Sequence, residues 1–101
     1  MEKMKAHYPL DAVKERLSRL GADAFTMTAL RGALAMDLSI EEAIDVVLGL
    51  SSAMLYKSMT TNADHRLWQD VYHAPCPNGK TAYVKLILQE DGALVIQFKE
   101  R

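Results

Sequence analysis

Residues 81–99 read TAYVKLILQEDGALVIQFK, two alternating apolar runs on either side of a Glu-Asp-Gly sequence at residues 90–92. Strict alternation is typical of β-strands with one buried face. A three-residue loop with glycine in its left-handed position is typical of a β-hairpin. The stretch therefore predicts an antiparallel hairpin with strands at Thr81–Gln89 and Ala93–Lys99.

The loop length also predicts which residues of the hairpin share a face. If pairing starts at Gln89 and Ala93, the apolar face holds three pairs: Leu88 with Leu94, Leu86 with Ile96, and Val84 with Phe98. One apolar face is what a sheet covered by helices on one side requires. The opposite face then holds three further pairs: Tyr83 with Lys99, Lys85 with Gln97, and Ile87 with Val95.

The first half of the chain has helical spacing instead. Apolar positions predict a helix over Pro9–Leu20 that stops at Gly21. A second helix is expected over Thr28–Met36 with Thr28 as its cap. Ser39-Ile40-Glu41-Glu42 is a capping-box sequence, so a third helix is expected from there to about Gly49.

Two more strands are expected between the helices and the hairpin. They are placed at Leu55–Thr60 and Leu67–His73, and His73–Lys80 is expected to be a long, mobile connection because it is rich in proline, asparagine and glycine. Helices followed by antiparallel strands predict an α+β fold. A chain of 101 residues can bury one core, so residues 1–101 are expected to be a single domain.

Composition narrows the class of protein. No apolar run approaches the roughly 20 residues that span a bilayer, and the N-terminus leads into no signal region, so a cytoplasmic protein without membrane contact is expected. A single cysteine, Cys76, excludes an internal disulfide and a cysteine-based zinc cluster. The net charge of −1 means that any attraction for nucleic acid must come from local clustering of cations.

The most unusual segment is the block of residues 56–72, which contains YKSMTT, then DH, then WQDVY. It combines lysine, histidine and glutamine with three aromatic residues, a mixture that a packed core does not require. RNA recognition uses such a mixture, because cations bind phosphate, amides read base edges and rings stack on bases.

This block resembles the central signature of the MqsR (motility quorum-sensing regulator) toxin family, and residues 81–100 resemble the family's C-terminal hairpin more loosely. The resemblance implies a RelE-like microbial ribonuclease fold with helices on one face of a small antiparallel sheet. It implies a type II toxin that arrests growth by cutting mRNA at short GC-containing sequences, with no cofactor or metal. It further implies inhibition by a cognate antitoxin protein, while the oligomeric state stays open.

The resemblance also implies which residues act. The matched catalytic positions are Lys57, Gln69, Tyr83 and Lys99. RNA contacts are expected at four more positions: Met59, His65, His73 and Lys85. His73 stands where the family tends to have arginine, so a phosphate contact there would depend on pH.

Cleavage without a metal would use attack by the RNA 2′-hydroxyl and leave a 2′,3′-cyclic phosphate. Lys57 is expected near Lys99, where it would stabilise phosphorane charge, or act as a base if repulsion lowers its pKa. Gln69 can only donate or accept hydrogen bonds, and Tyr83 can donate or stack. A mechanism that uses His65 and His73 stays open.

Purely structural roles are alternatives for the same residues. Each lysine could be a solvated strand residue, and Tyr56, Trp68 and Tyr72 are expected to anchor the sheet to the helices. A non-catalytic protein-interaction module is the alternative function.

Overall fold

The computed structural model describes residues 1–101, and an antiparallel sheet of five strands in the order β1-β2-β3-β4-β5 forms its centre. The strands are β1 Glu2–Lys3, β2 Leu55–Thr60, β3 Trp68–Pro75, β4 Thr81–Leu86 and β5 Val95–Glu100. The helices are α1 Leu10–Leu20, α2 Met27–Ala35 and α3 Ile40–Leu48, with short 3₁₀ turns at Gly21–Ala24 and Ser52–Met54. The predicted α+β class is confirmed.

All three helices pack on one face of the sheet. Their apolar sides share one core cluster with Tyr72 and Ala74 of β3, Val84 of β4 and Phe98 of β5. Tyr72 is therefore the core anchor that the sequence predicted. No helix combines the length and the apolar character that crossing a membrane needs.

Two helix boundaries follow their sequence signals closely. Ser39 Oγ accepts a hydrogen bond from the Glu42 backbone N–H at 3.0 Å, and the Ser39 N–H donates to Glu42 Oε1 at 2.9 Å, so the capping box is confirmed. Gly21 ends α1 with a φ of +57°, as expected.

The predicted start of α2 is wrong. Thr26, not Thr28, is the cap, and its hydroxyl accepts from the Ala29 N–H at 3.1 Å. The reason is tertiary, because the Thr26 N–H donates to the Val95 carbonyl of β5 at 3.0 Å and thereby fixes where the helix begins.

The register of the β4–β5 hairpin is confirmed near its open end and wrong near its loop. Tyr83 pairs with Lys99, and the two following pairs also match the prediction: Val84 with Phe98, and Lys85 with Gln97. A bulge then places Leu86 opposite Val95 instead of Ile96, and residues 87–94 lie outside the strands.

The cause of this bulge is competition for backbone groups at the start of β5. The Leu94 N–H donates to the Ala24 carbonyl at 2.7 Å, and Phe25 bridges Val95 in parallel. Leu94 and Val95 are consequently both fully buried, which a strictly alternating strand does not allow. Ile96, expected in the core, is only half-buried.

The expected long connection over His73–Lys80 is also wrong. β3 continues to Pro75, and a turn over residues 76–80 follows, in which the Cys76 N–H donates to the Lys80 carbonyl at 2.9 Å. The Asn78 side chain donates to the Met36 carbonyl at 2.8 Å, which ties the turn to the end of α2.

The N-terminal segment is held against the sheet by the buried carboxylate of Asp70. It accepts from the backbone N–H groups of His7 and Tyr8, at 3.0 and 2.8 Å, and from the Ser58 hydroxyl at 2.6 Å. Trp68 stacks on the His7 ring at 5.4 Å, so it anchors this segment and not the helices.

We expect Asp70→Asn to lower the free energy of unfolding by about 2 kcal/mol, because hydrogen bonds to a charged acceptor contribute about 1.5–3 kcal/mol each. Urea unfolding measures the loss, and amide hydrogen exchange should show reduced protection at His7 and Tyr8. Asp11→Asn, on the exposed first turn of α1, is the control and should change stability by less than about 1 kcal/mol. Equal effects of the two substitutions would contradict the role given to Asp70.

Gly32 permits the contact between α2 and β5, because a Cβ there would lie 1.7 Å from the Phe98 carbonyl oxygen. Alanine usually favours a helix over glycine, yet we expect Gly32→Ala to destabilise the protein by about 1–3 kcal/mol through this clash. Gly49→Ala, with its nearest contact at 3.3 Å, is the matched control and should unfold near the parent midpoint. A Gly32→Ala protein as stable as the parent would refute the close packing.

Candidate active site

The sheet face opposite the helices carries most of the residues that the sequence singled out. Strand register places Lys57 beside Val71, Val71 beside Lys85, and Tyr83 between His73 and Lys99. Met59 pairs with Gln69 two residues further along. We call this uncovered surface the open face.

The four predicted catalytic residues therefore share one face, although they lie on four different strands. Lys57 is on β2, Gln69 on β3, Tyr83 on β4 and Lys99 on β5. Adjacent strands lie about 4.8 Å apart, so the backbones of Lys57 and Lys99 are separated by three strand spacings. The expectation that these two lysines are neighbours is wrong.

Tyr83 lies at the centre of the cationic part of the open face. The Nζ atoms of Lys99 and Lys85 lie 5.1 and 5.9 Å from the centroid of its ring. Burial raises the pKa of the Tyr83 phenol, an effect that the charge of Lys57 partly offsets. The phenol is thus protonated near neutral pH and can donate a hydrogen bond.

Lys57 is paired with a carboxylate that sequence reasoning missed. Its Nζ atom lies 2.5 Å from Oε1 of Glu2, which β1 carries onto the open face opposite Met59. The hydrogen bond that Lys57 donates to Glu2 raises the pKa of Lys57, so the depressed pKa considered for this residue is contradicted. No sequence signal indicated Glu2, because its approach depends on a two-residue strand formed 55 positions away.

Lys85 is the lysine whose pKa falls. Burial is the main cause, and the charges of Lys99 and Lys57 add to it. The ion pairs of the protein involve Lys57, Arg66 and Lys80, and none involves Lys85. The lysine expected only to contact RNA is therefore the one whose neutral amine is favoured.

An aromatic pair adjoins these cations. The rings of Tyr56 and His73 stack at 4.4 Å with planes 20° apart, and His73 also approaches Tyr83 at 6.0 Å. Tyr56 was expected to anchor the sheet to the helices, and this is wrong. A bulge between Leu55 and Lys57 turns its side chain onto the open face.

The two candidate histidines lie at opposite ends of β3. His65 is exposed in the loop before the strand, whereas His73 follows Trp68 by five residues, which is about 16 Å along a strand. Burial, with the charge of Arg101, lowers the pKa of His73 below 6.5. The arrangement separates the two rings too far for a shared proton-transfer role.

The open face has the local cluster of cations that binding of nucleic acid requires. It holds Lys57, Lys85 and Lys99 against the single carboxylate of Glu2, although the whole chain carries a net charge of −1. No three His, Cys, Asp or Glu side chains come together in a way that could hold a metal ion.

A small α+β protein with cations, a tyrosine and stacked rings on an uncovered sheet face has the architecture of a RelE-like toxin. The model of the family described as "Motility quorum-sensing regulator, toxin of MqsA" matches residues 5–100. The mRNA interferase toxin MqsR of Escherichia coli (strain K12) is 39% identical over 101 residues, which covers all of both chains. This chain belongs to the MqsR toxin family, and the match includes the N-terminal helices that motif comparison reached least.

We expect Glu2→Gln to lower the pKa of Lys57, because the carboxylate hydrogen bond is the largest cause of its rise. NMR titration of the Lys57 side chain measures the change. The pair stabilises the fold above the ordinary Glu2 pKa of 4.5 and below the ordinary Lys57 pKa of 10.5, and this is lost as pH falls through the folded-state pKa of Glu2 or rises through that of Lys57.

Glu90→Gln, in the exposed β4–β5 loop, changes the net charge equally and is the control for this titration. An unchanged Lys57 titration in the Glu2→Gln protein would show that the ion pair does not form in solution.

Proposed function

We propose that this toxin is an endoribonuclease that cleaves mRNA at short GC-containing sequences without a metal ion. In this proposal the 2′-hydroxyl attacks the adjacent phosphorus, and the products carry a 2′,3′-cyclic phosphate and a 5′-hydroxyl. The observation that carries it is the approach of Lys85 and Lys99 to the Tyr83 ring on a sheet face that no helix covers, with Lys57 on the same face. The family assignment favours this enzyme over a non-catalytic interaction module.

The geometry supports distinct roles for the catalytic residues. Lys57 and Lys99 would extend from opposite sides of the open face to the non-bridging oxygens of the phosphorane, where charge develops. Tyr83, whose phenol burial keeps protonated, would donate to the leaving 5′-oxygen. Gln69 would hydrogen-bond a phosphate oxygen or a base edge.

RNA bases would bind beside these groups. The stacked Tyr56–His73 pair offers a ring surface for one base, and Met59, next to Gln69 in the register, offers an apolar contact. Because burial lowers the pKa of His73, its ring would be mostly neutral near pH 7 and would act mainly by stacking. His65 lies in the exposed loop before β3. It would contact RNA only if the bound RNA extends beyond the beginning of that strand.

We further propose that mRNA and a cognate antitoxin are the partners of this toxin in the cytoplasm. The family description names a toxin of MqsA, which supports an antitoxin partner of that kind.

We expect the purified protein to cut naked mRNA in excess EDTA. The upstream fragments should end in cyclic phosphate, and the downstream fragments should need 5′-phosphorylation before ligation. Lys57→Ala should cleave at least about 100-fold more slowly, the usual cost of removing one group that stabilises transition-state charge. Lys14→Ala, on α1 away from the open face, is the control. Uncut RNA with the folded parent protein, or downstream fragments that carry 5′-phosphate, would refute the proposal.

A further inference from the structure

Lys85 has a position that the roles above do not use. It lies on β4, between Val71 of β3 and Gln97 of β5, so it is surrounded by sheet on both sides. Its ammonium lies over the Tyr83 ring at 5.9 Å, on the same ring that Lys99 approaches at 5.1 Å. A phosphodiester bound over Tyr83 would therefore contact both amines.

Val71 gives the partly buried Lys85 an apolar neighbour. It is fully buried, yet it lies on the open face and is not part of the core under the helices. Its cross-strand neighbours there are Lys57 and Lys85, whose aliphatic stems can cover an apolar side chain. Lys85 thus has Val71 as an apolar neighbour, the charges of Lys57 and Lys99 nearby, and no carboxylate partner.

We propose that Lys85 is the general base of the cleavage reaction, a role that rests on the ribonuclease function proposed above. Its neutral Nζ takes the proton of the 2′-hydroxyl while the 2′-oxygen forms a bond to phosphorus. The bond from phosphorus to the 5′-oxygen then breaks, and that oxygen takes the phenolic proton of Tyr83. Lys85 ends as an ammonium and Tyr83 as a phenolate, and exchange with water restores both.

The environment of Lys85 is consistent with this role. Burial and two nearby cations lower its pKa, and both effects favour the neutral amine that a general base requires. Glu2 does the opposite for Lys57, so the two lysines diverge in function. The charged and titratable groups facing this site are Glu2, Tyr56, Lys57, His73, Tyr83, Lys99 and Arg101.

The Lys85→Arg variant distinguishes a general-base role of Lys85 from a role as a simple phosphate contact. Arginine keeps the positive charge but does not lose its proton near neutral pH. We expect single-turnover cleavage of a short RNA to fall at least about 100-fold, the usual contribution of a general base. Binding of the same RNA with a 2′-deoxy sugar at the cleavage site should change less than threefold, on the order of experimental scatter. Lys14→Arg is the matched control.

A second measurement uses Lys85→Ala and added primary amines of different basicity. Amines should restore part of the cleavage rate, and the parent rate should rise with pH and then level off at the pKa of Lys85, a bend absent from Lys85→Arg. If the arginine variant cleaves like the parent, Lys85 is only an electrostatic contact and the inference is refuted.

If Lys85→Ala does not fold, Lys85→Arg and the pH profile decide alone. A folded parent that leaves RNA intact overturns both proposals, whereas a cleaving parent with a fully active arginine variant overturns only this one.

Discussion

The open face depends on the buried carboxylate of Asp70. An ionised carboxylate loses several kcal/mol of hydration when it is buried, and here two backbone N–H groups and the Ser58 hydroxyl replace the water. These bonds join β2, β3 and the N-terminal segment at one point. They also hold β1 against the outer edge of β2, which closes an edge that would otherwise present unpaired backbone groups.

One consequence is electrostatic. With β1 in place, Glu2 reaches Lys57 and raises its pKa, while Lys85 has no carboxylate partner and has its pKa lowered by burial and by the charges of Lys99 and Lys57. Two lysines on neighbouring parts of one surface thereby acquire opposite tendencies. Surface potentials, not net charge, attract a polyanion, and this is why a chain with a net charge of −1 can carry a cationic face.

Local sequence signals predicted those parts of the fold that depend on neighbours in the chain. The capping box at Ser39 and the glycine stop at Gly21 were correct, because both are formed within a few residues. Alternation and loop length placed Tyr83 beside Lys99 correctly. The register failed at Leu86, because the Ala24–Thr26 segment, some 60 positions earlier, takes over the backbone groups at the start of β5.

In the candidate site, too, some features follow from the local sequence and others from tertiary contacts. By itself, the sequence determined the α+β class, the family resemblance that points to Lys57 and Gln69, and the pairing of Tyr83 with Lys99 on one face, because side-chain direction alternates strictly along a regular strand. Only the tertiary structure brought Glu2 to Lys57, turned Tyr56 onto the open face through a bulge, and lowered the pKa of Lys85 instead of that of Lys57. The physical reason is that burial, pairing and pKa depend on distances between strands, and local periodicity does not encode those distances.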